Sequence, residues 1–273
     1  MGRILVRYQR ADIDCIEAYM TRKALIVGVN AYQTPYQLRS CLNDATDLQT
    51  TLQNKRGFAQ FATLLDGAAT RSAILAQLQS LVSNAVSGDS IMFAFFGHGT
   101  PGSGICPVDI DPNTGTNVIW DYELGNILSQ MPAGVTCDVL LGCCYSGGGT
   151  RSSLPSQGGK IDTKFKEKLP KASKLIKIEP MTFPVQPAKT SIPVAGLNHC
   201  LFAASTGSAY ECISGGLYRG LHTVWWCYVV RNALTWTRSQ IDAYVTTKVH
   251  LTAPTQNPVV EGTSTELAQQ PFA

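Results

Sequence analysis

The chain has 273 residues, of which 44% are apolar and 15% charged, so global disorder is excluded and a sizeable core is expected. A net charge of +3 is too small to indicate nucleic-acid binding by itself. The sequence contains no apolar run of about 18 residues, and residues 1–22 lack a secretory signal. We therefore expect a cytoplasmic protein that binds neither membranes nor nucleic acid.

Nine cysteines are scattered along the chain without a C-x-x-C pair, and only four histidines accompany them. An odd number of cysteines without metal-ligand spacing argues against a disulfide framework and against a zinc site. We expect reduced thiols, most of them small core residues. The cysteines are Cys15, Cys41, Cys106, Cys137, Cys143, Cys144, Cys200, Cys212 and Cys227.

The first third of the chain alternates strands with helices. The continuous apolar run that begins at Lys23 is typical of a strand buried on both faces, and residues 61–66 predict a second strand. Asn43 is placed to cap a helix between these strands. Thr70 is placed to cap the helix after the second strand, and the apolar residues of that helix recur with a helical period.

The rest of the chain continues this alternation. Further strands are predicted at residues 90–99, 136–149 and 199–205, a short helix at 121–128, and two helices within 217–249. Strands that alternate with helices indicate βαβ units. The predicted fold class is therefore α/β, with a mostly parallel central sheet flanked by helices on both faces.

One segment departs from this pattern. Residues 155–195 are rich in proline, lysine and serine, and seven lysines fall between Lys160 and Lys177. So long a loop inside a compact domain is usually functional or disordered. Two interpretations stay open, a solvated basic linker and a loop that is processed by proteolysis.

A histidine and a cysteine come directly after two of the predicted strands. His98 lies in FFGHGT and Cys144 in LLGCCYSGGG. Reacting groups in open α/β sheets gather at the carboxyl ends of the strands, so neighbouring strands would bring the imidazole and the thiol into one crevice. An imidazole can take the proton of a thiol and later protonate a leaving amine.

Glycines surround both residues. Gly97 and Gly99 would let the backbone approach a substrate, and the amide hydrogens of Gly99 and Cys144 would form an oxyanion hole. A lone cysteine or histidine at a strand end is more often structural, but these two are 46 residues apart and both are enclosed by glycine. We therefore predict that Cys144 is a nucleophile and His98 its base.

The chain resembles caspase-fold cysteine peptidases of the metacaspase or orthocaspase group. The resemblance rests on KALIVGVNAY, LRSCLNDATDL, FAFFGHGT, ICPVDID, WDYEL, LLGCCYSGG, LFAAS and GLYRGLHTVWW, in the order of the family. It implies one peptidase domain over residues 23–258, between an N-terminal extension (1–22) and a C-terminal tail (259–273). Within the domain it implies a large-subunit-like half (23–150), a basic linker (151–195) and a small-subunit-like half (196–258).

The resemblance also implies substrate-binding residues, and the chain departs from the family pattern at two of them. Gly142 stands where metacaspases usually carry an aspartate that helps to bind a basic side chain, and Phe96 where many carry a serine. Asp44, beside Cys41, matches the acid of the specificity pocket, although first-turn helix capping is an equal alternative for it. The implied preference is for arginine or lysine before the scissile bond.

Many metacaspases need calcium, which aspartates outside the active site bind. Asp109, Asp111 and Asp121 match parts of that region, but Tyr122 stands where a second acid is common. The set is depleted, because Ca²⁺ takes about six to eight oxygen ligands. We expect no required cofactor, with Asp109 and Asp121 as the candidate ligands of any calcium that binds.

The sequence therefore predicts a monomeric cysteine endopeptidase that cleaves proteins or peptides after Arg or Lys and processes itself in the Lys-rich linker. Another class of function stays open, namely a catalytically weak caspase homologue that acts by binding protein partners. The altered pocket favours this alternative, and the intact Cys–His pair favours the peptidase. The reactivity of the Cys144 thiol relative to the other cysteines would separate the two.

Overall fold

The computed structural model describes residues 20–144, 168–184 and 199–272. The strands are β1 (Arg22–Gly28), β2 (Gln60–Leu65), β3 (Ser90–Phe96), β4 (His98–Thr100), β5 (Gly104–Cys106), β6 (Ile119–Trp120), β7 (Thr136–Leu141), β8 (Ser173–Ile178), β9 (His199–Ala203), β10 (Ala209–Ser214), β11 (Leu217–Gly220) and β12 (Val259–Glu261). The helices are α1 (Cys41–Arg56), α2 (Arg71–Ser83), α3 (Asp121–Leu128), α4 (Leu221–Asn232), α5 (Arg238–Thr252) and α6 (Ser264–Leu267).

A six-stranded sheet with the order β12-β9-β7-β3-β1-β2 forms the centre of the molecule. Its neighbouring strands run parallel except at one edge, where β12 pairs antiparallel with β9. β3 is buried along its whole length, which explains why its sequence is a continuous apolar run rather than an alternating one. The helices α1, α4 and α5 pack together, and α2 packs with α3. The predicted α/β fold with a mostly parallel sheet and flanking helices is confirmed.

Most elements begin and end close to their predicted bounds. The Thr70 hydroxyl accepts a hydrogen bond from the Ala73 amide and caps α2, as expected. Asn43, predicted to cap α1, lies instead in its first turn and donates to the Tyr218 carbonyl, because the helix already begins after Ser40. The strand predicted to reach residue 99 ends at Phe96, and the chain turns there into the antiparallel sheet β4-β5-β6.

Part of the lysine-rich segment is an ordered strand. β8 pairs antiparallel with β10, and with β11 they form a second sheet in the order β11-β10-β8. The sequence predicted a loop there and two helices from Leu217 onward, so both β8 and β11 were missed. The remainder of the linker, residues 151–167 and 185–195, and residues 1–19 of the N-terminal extension lie outside the described residues.

The expected C-terminal tail is part of the domain. β12 adds an edge strand to the central sheet, and the Phe272 ring is buried in the core against Phe58 and Trp226. This corrects the boundary predicted at residue 258. β12 has only the three residues VVE, which are too few to show an alternating strand period.

A buried ion pair joins the central sheet to the C-terminal half. The guanidinium of Arg238 on α5 donates two hydrogen bonds to the Asp138 carboxylate on β7, at 2.6 and 2.9 Å. Both side chains are almost fully buried, and the Phe272 amide donates to the same carboxylate at 3.2 Å. A charge at this depth is tolerated only with such complete pairing.

The structure gives two further results on the class of protein. Within residues 20–144, 168–184 and 199–272, none of the helices combines the length and the apolar character that crossing a membrane requires. The eight cysteines in these ranges are all free thiols and all buried, whereas Cys15 lies outside them.

Candidate active site

His98 is held by the loop between β1 and α1. Its Nε2 atom lies 2.8 Å from the Tyr36 carbonyl oxygen, so Nε2 carries the proton that this bond needs. The other ring nitrogen, Nδ1, is buried and has no hydrogen-bond partner among the described residues. The rings of Tyr32 and Tyr36 meet the imidazole edge-on, with centroids 4.8 and 6.2 Å away. Nδ1 is therefore the nitrogen that is free to accept a proton.

Cys144 follows β7 and is completely buried. Its thiol donates to the Ile178 carbonyl oxygen at 3.2 Å and accepts from the Ala209 amide at 3.2 Å. Ile178 ends β8 and Ala209 begins β10, and the two residues are paired across the second sheet. The chain's own linker strand therefore covers this thiol.

The neighbouring strands β3 and β7 bring the His98 and Cys144 segments together at the carboxyl ends of the parallel strands. β3 and β7 are paired up to Phe95 and Leu141, and both segments leave the sheet just beyond this pair. A side chain at Gly99 would overlap the Cys144 carbonyl, which explains the glycine after His98. The Gly99 carbonyl is occupied by the Met181 amide at 3.0 Å, so the chain after β8 also crosses this edge.

Burial keeps both groups of the pair uncharged at neutral pH. It raises the pKa of the Cys144 thiol to about 11, with a smaller rise from Glu179, against the opposing effects of the Ala209 amide and Lys177. It also lowers the pKa of His98, against the opposing effects of the Tyr36 carbonyl, of Glu211 and of the Glu179 backbone just after β8. Desolvation thus favours a neutral thiol and a neutral imidazole over an ion pair.

A cavity of about 10 Å³ lies next to Cys41, Gly97, Gly142 and Gly220. Ile178 of β8 is a lining residue, and the remaining space holds at most one water molecule. Of the predicted substrate-binding residues, Cys41 and Gly142 line this cavity. A long side chain can therefore enter only when β8 moves.

The two departures from the family pattern are structurally linked. A Cβ atom at Gly142 would lie 2.5 Å from Cδ1 of Phe96, a side chain that is completely buried. The Phe96 ring thus occupies the space that a side chain at position 142 would need. A phenylalanine at position 96 therefore leaves room for nothing larger than glycine at position 142.

Two buried acids lie beside the cavity. The Asp44 carboxylate accepts from the Gly220 amide at 3.0 and 2.9 Å and makes no bond to the amides of its own helix. Glu211 of β10 accepts from the amides of Arg39 and Ser40, both at 2.7 Å. Burial, with smaller effects of Asp47 and Glu211, raises the pKa of Asp44 well above its usual range, against the Gly220 amide. Sequence reasoning missed Glu211, because it lies on a strand that was not predicted.

The candidate calcium ligands do not form a cage. Asp109 Oδ1 accepts from the Arg71 amide at 2.8 Å, and Asp121 Oδ1 from the Tyr122 amide at 2.7 Å. Asp111 accepts from Asn113 and Thr114 within its own turn. Among the described residues, no three His, Cys, Asp or Glu side chains converge on a common point. Each of these carboxylates thus bonds a donor among the described residues, and the expectation that no calcium is required stays a prediction.

Comparison with known proteins identifies relatives over about half of the chain. Residues 22–152 match the family model "Metacaspase, peptidase C14 domain". Metacaspase-1B of Aspergillus fumigatus is 31% identical over 153 residues, which cover 49% of this chain and 37% of the relative. Metacaspase-4 of Arabidopsis thaliana is 29% identical over 147 residues, or 47% of this chain and 34% of the relative. The chain thus spans little more than a third of the length of these relatives.

The fold is shared with a solved structure over almost its whole length. The crystal structure of protein GSU0716 from Geobacter sulfurreducens superposes with a TM-score of 0.62, covering 93% of this chain and 98% of that chain at 19% identity. At this identity the likeness concerns the fold alone. Residues 22–152 thus match a metacaspase peptidase C14 domain, with distant homology to the plant and fungal metacaspases.

Proposed function

We propose that the chain is a cysteine endopeptidase with Cys144 as nucleophile and His98 as general base and acid. The observation that carries the proposal is the meeting of two strand ends at one sheet edge, one with a thiol and one with a buried, unbonded Nδ1 atom. The thiol proton passes to Nδ1 as sulfur bonds to the scissile carbonyl carbon. The His98 imidazolium then gives this proton to the leaving amine as the C–N bond breaks. The amides of Gly99 and Cys144 would stabilise the oxyanion, and water then hydrolyses the thioester.

The proposed specificity is for arginine or lysine before the scissile bond. Asp44 and Glu211 lie beside the lining residues Gly220 and Ser40, and both carboxylates are buried. A cationic side chain in the cavity would favour the charged form of these buried acids, and arginine could bind a carboxylate in a bidentate fashion. Aspartate before the scissile bond would meet the same two acids and gain no such pairing, so it would be refused.

Substrate would bind in the position that β8 now holds. β10 pairs with β8 in an antiparallel register that ends at the Cys144 thiol. An extended peptide can replace such a strand with the same main-chain hydrogen bonds. Because Ile178 lines the cavity, displacement of β8 would both open the cavity and expose the thiol.

Cleavage of a fluorogenic peptide series that differs only in the residue before the scissile bond tests this function. We expect Arg and Lys peptides to be cleaved and Asp and Leu peptides to be refused. Asp44→Asn and Glu211→Gln should each lower kcat/KM for Arg peptides about ten- to a hundredfold, the value of a charge-assisted bond. Asp242→Asn, which removes an acid on α5 that does not line the cavity, should change little. An acidic or apolar preference would contradict the specificity.

Self-processing in the linker is a second part of the proposal. The carbonyl at the Cys144 thiol belongs to Ile178, one residue beyond Lys177, so the bound strand does not offer a basic residue in this register. A shift by one residue would bring Lys177 to the thiol and turn the strand over. Intact-mass measurement should show a cut after a basic residue between Lys160 and Lys177 in the wild-type protein and none in Cys144→Ala.

The covered thiol also favours a second candidate, a caspase homologue that acts by binding partners. A thiol without exposure and with a raised pKa is not a reactive nucleophile as it stands. Displacement of β8 separates the two functions. A peptidase with β8 displaced should turn over Arg peptides, whereas a binding domain should bind them without turnover.

A further inference from the structure

The side chain of Tyr32, in the loop between β1 and α1, forms hydrogen bonds to the backbone of both strands of the β4–β5 hairpin. It is 3% exposed, and its hydroxyl oxygen accepts from the His98 amide at 2.9 Å. The same hydroxyl donates to the Cys106 carbonyl at 2.6 Å. His98 and Cys106 face each other in the β4–β5 ladder, so one phenol group bonds both strands of this hairpin.

The ring of Tyr32 also limits how the imidazole can turn. It meets the His98 ring edge-on at 4.8 Å, while the Tyr36 carbonyl holds Nε2 from another side. A side chain at Gly97 would overlap the Tyr32 hydroxyl and the Phe95 ring. The glycine before His98 is therefore the residue that lets the phenol reach the backbone.

The loop that carries Tyr32 is itself well anchored. The Asn30 carbonyl accepts from the amides of Tyr32 and Leu38, at 3.0 and 3.1 Å. Asp66 accepts from the amides of Asn30 and Ala31, at 2.7 and 2.9 Å. Burial raises the pKa of Tyr32 well above its usual range, so the hydroxyl stays protonated and can both donate and accept. The phenol is thus a fixed point rather than a mobile side chain.

We propose that Tyr32 is the positioning residue for His98, an inference that rests on the proposed peptidase function. Its hydroxyl fixes the backbone at residue 98, and the Tyr36 carbonyl fixes Nε2. With two points of the residue held, the direction of Nδ1 is set before any substrate binds. Preorganisation of this kind is costly to lose, because small misplacements of a catalytic group slow proton transfer strongly.

Tyr32→Phe tests the proposal, since it removes the hydroxyl and keeps the ring. We expect kcat on an Arg peptide to fall about ten- to a hundredfold while KM stays within about twofold, because substrate contacts are untouched. The ¹⁵N spectrum of the His98 imidazole should show a single Nε2–H tautomer in the wild-type protein. In Tyr32→Phe the backbone at residue 98 loses its tie, so the imidazole should leave the Tyr36 carbonyl part of the time and the spectrum should show exchange between tautomers.

Tyr244→Phe on α5 is the matched control, since it removes the hydroxyl of another buried tyrosine and should leave kcat and the tautomer unchanged. Gly97→Ala displaces the Tyr32 hydroxyl by a second route. It should reproduce the fall in kcat and the exchange between tautomers, and it serves as the test if Tyr32→Phe fails to fold. Wild-type kcat and an unchanged tautomer in Tyr32→Phe would overturn the proposal. If the wild-type protein cleaves no peptide, the peptidase function fails, yet the imidazole spectra still decide the positioning role.

Discussion

The surroundings of His98 and of Cys144 are built in opposite ways. His98 is held by Tyr32, Tyr36 and the β4–β5 hairpin, all from the first half of the chain. The Cys144 thiol is bonded to Ile178 and Ala209, which lie 34 and 65 residues further along the chain. The His98 side chain is thus held mainly by its own half of the domain, whereas the Cys144 thiol is covered by strands from the second half.

The difference indicates that the contacts of His98 are permanent, whereas those of the Cys144 thiol would be replaced when a substrate binds. The partners of His98 from the first half of the chain are backbone groups and a buried phenol, and these need not move for a substrate to bind. Around Cys144 the opposite holds, because the Ile178 carbonyl occupies the place where a scissile carbonyl would lie. Substitutions near the two residues should therefore differ widely in their effects.

The largest effect is expected from the pair itself. Cys144→Ala and His98→Ala should each reduce Arg-peptide hydrolysis by at least about a thousandfold, because the members of such a pair act as a unit. Thermal unfolding of both variants should stay cooperative, since neither changes the sheet. Cys143→Ala, one residue away on the other side of the strand end, should keep most of the activity. An inactive Cys143 variant beside an active Cys144 variant would reverse the assignment.

Displacement of β8 should change the reactivity of the Cys144 thiol much more than the environment of the His98 imidazole. Ile176 lies in the middle of β8 and pairs with Glu211 of β10, and Ile176→Pro fixes φ and removes a main-chain donor at this pair. Once uncovered, the Cys144 thiol should lose its desolvation, and its pKa should fall from about 11 by about two pH units. The thiolate fraction at neutral pH, and with it the rate of alkylation by iodoacetamide, should rise about a hundredfold.

The pH dependence of alkylation checks the same point independently. A group with a raised pKa forms the reactive thiolate only at high pH, so wild-type alkylation should keep rising up to about pH 11. In Ile176→Pro the curve should level off at a lower pH. Lys171→Pro, just before β8, is the control and should behave like the wild-type protein. Equal alkylation curves for all three proteins would show that β8 does not control access to the thiol.

A smaller effect, on stability, should appear at Gly142 and Phe96. Gly142→Asp drives a side chain into the Phe96 ring and should cost about 1–3 kcal/mol, a few degrees in Tm. Phe96→Ser alone should cost about 3–5 kcal/mol through the cavity it leaves. Because each change makes room for the other, the double variant should be clearly more stable than the sum of the single effects predicts. Additive losses in a double-mutant cycle would mean that the two positions are independent.

The smallest effect is expected from chelation. Asp109 and Asp121 are bonded to backbone amides and do not converge with a third ligand among the described residues. The rate of peptide hydrolysis should therefore be the same, within about twofold, in buffer with EGTA and in buffer with added Ca²⁺. A loss of activity that added Ca²⁺ restores would contradict this expectation.

Local patterns predicted the central sheet and the two residues at its edge. Apolar runs mark β1, β3 and β7 because these strands are buried on both faces, and the glycines beside His98 and Cys144 mark where the chain leaves the sheet. The second sheet could not be predicted in this way. β8 has only exposed or half-exposed residues, and its sequence SKLIKI lacks a strict two-residue alternation, so its order comes from pairing with β10.

The same reason hid Glu211 and the role of Tyr32. Glu211 meets the α1 segment only through contacts between residues more than 170 positions apart. Tyr32 lies in a motif that the sequence did mark, but its partners are backbone groups of a hairpin whose second strand was not predicted. Where a site depends on pairing between distant segments, local periodicity carries no information about it.

The ion pair between Asp138 and Arg238 has a consequence for a chain that is cut in its linker. The cut would leave β7 on one piece and β9 on the other, still paired strand to strand and still joined by this buried carboxylate and guanidinium. The nicked protein would then be a noncovalent heterodimer. Its unfolding would become a dissociation governed by mass action, so its Tm should rise with protein concentration while that of the uncut chain should not.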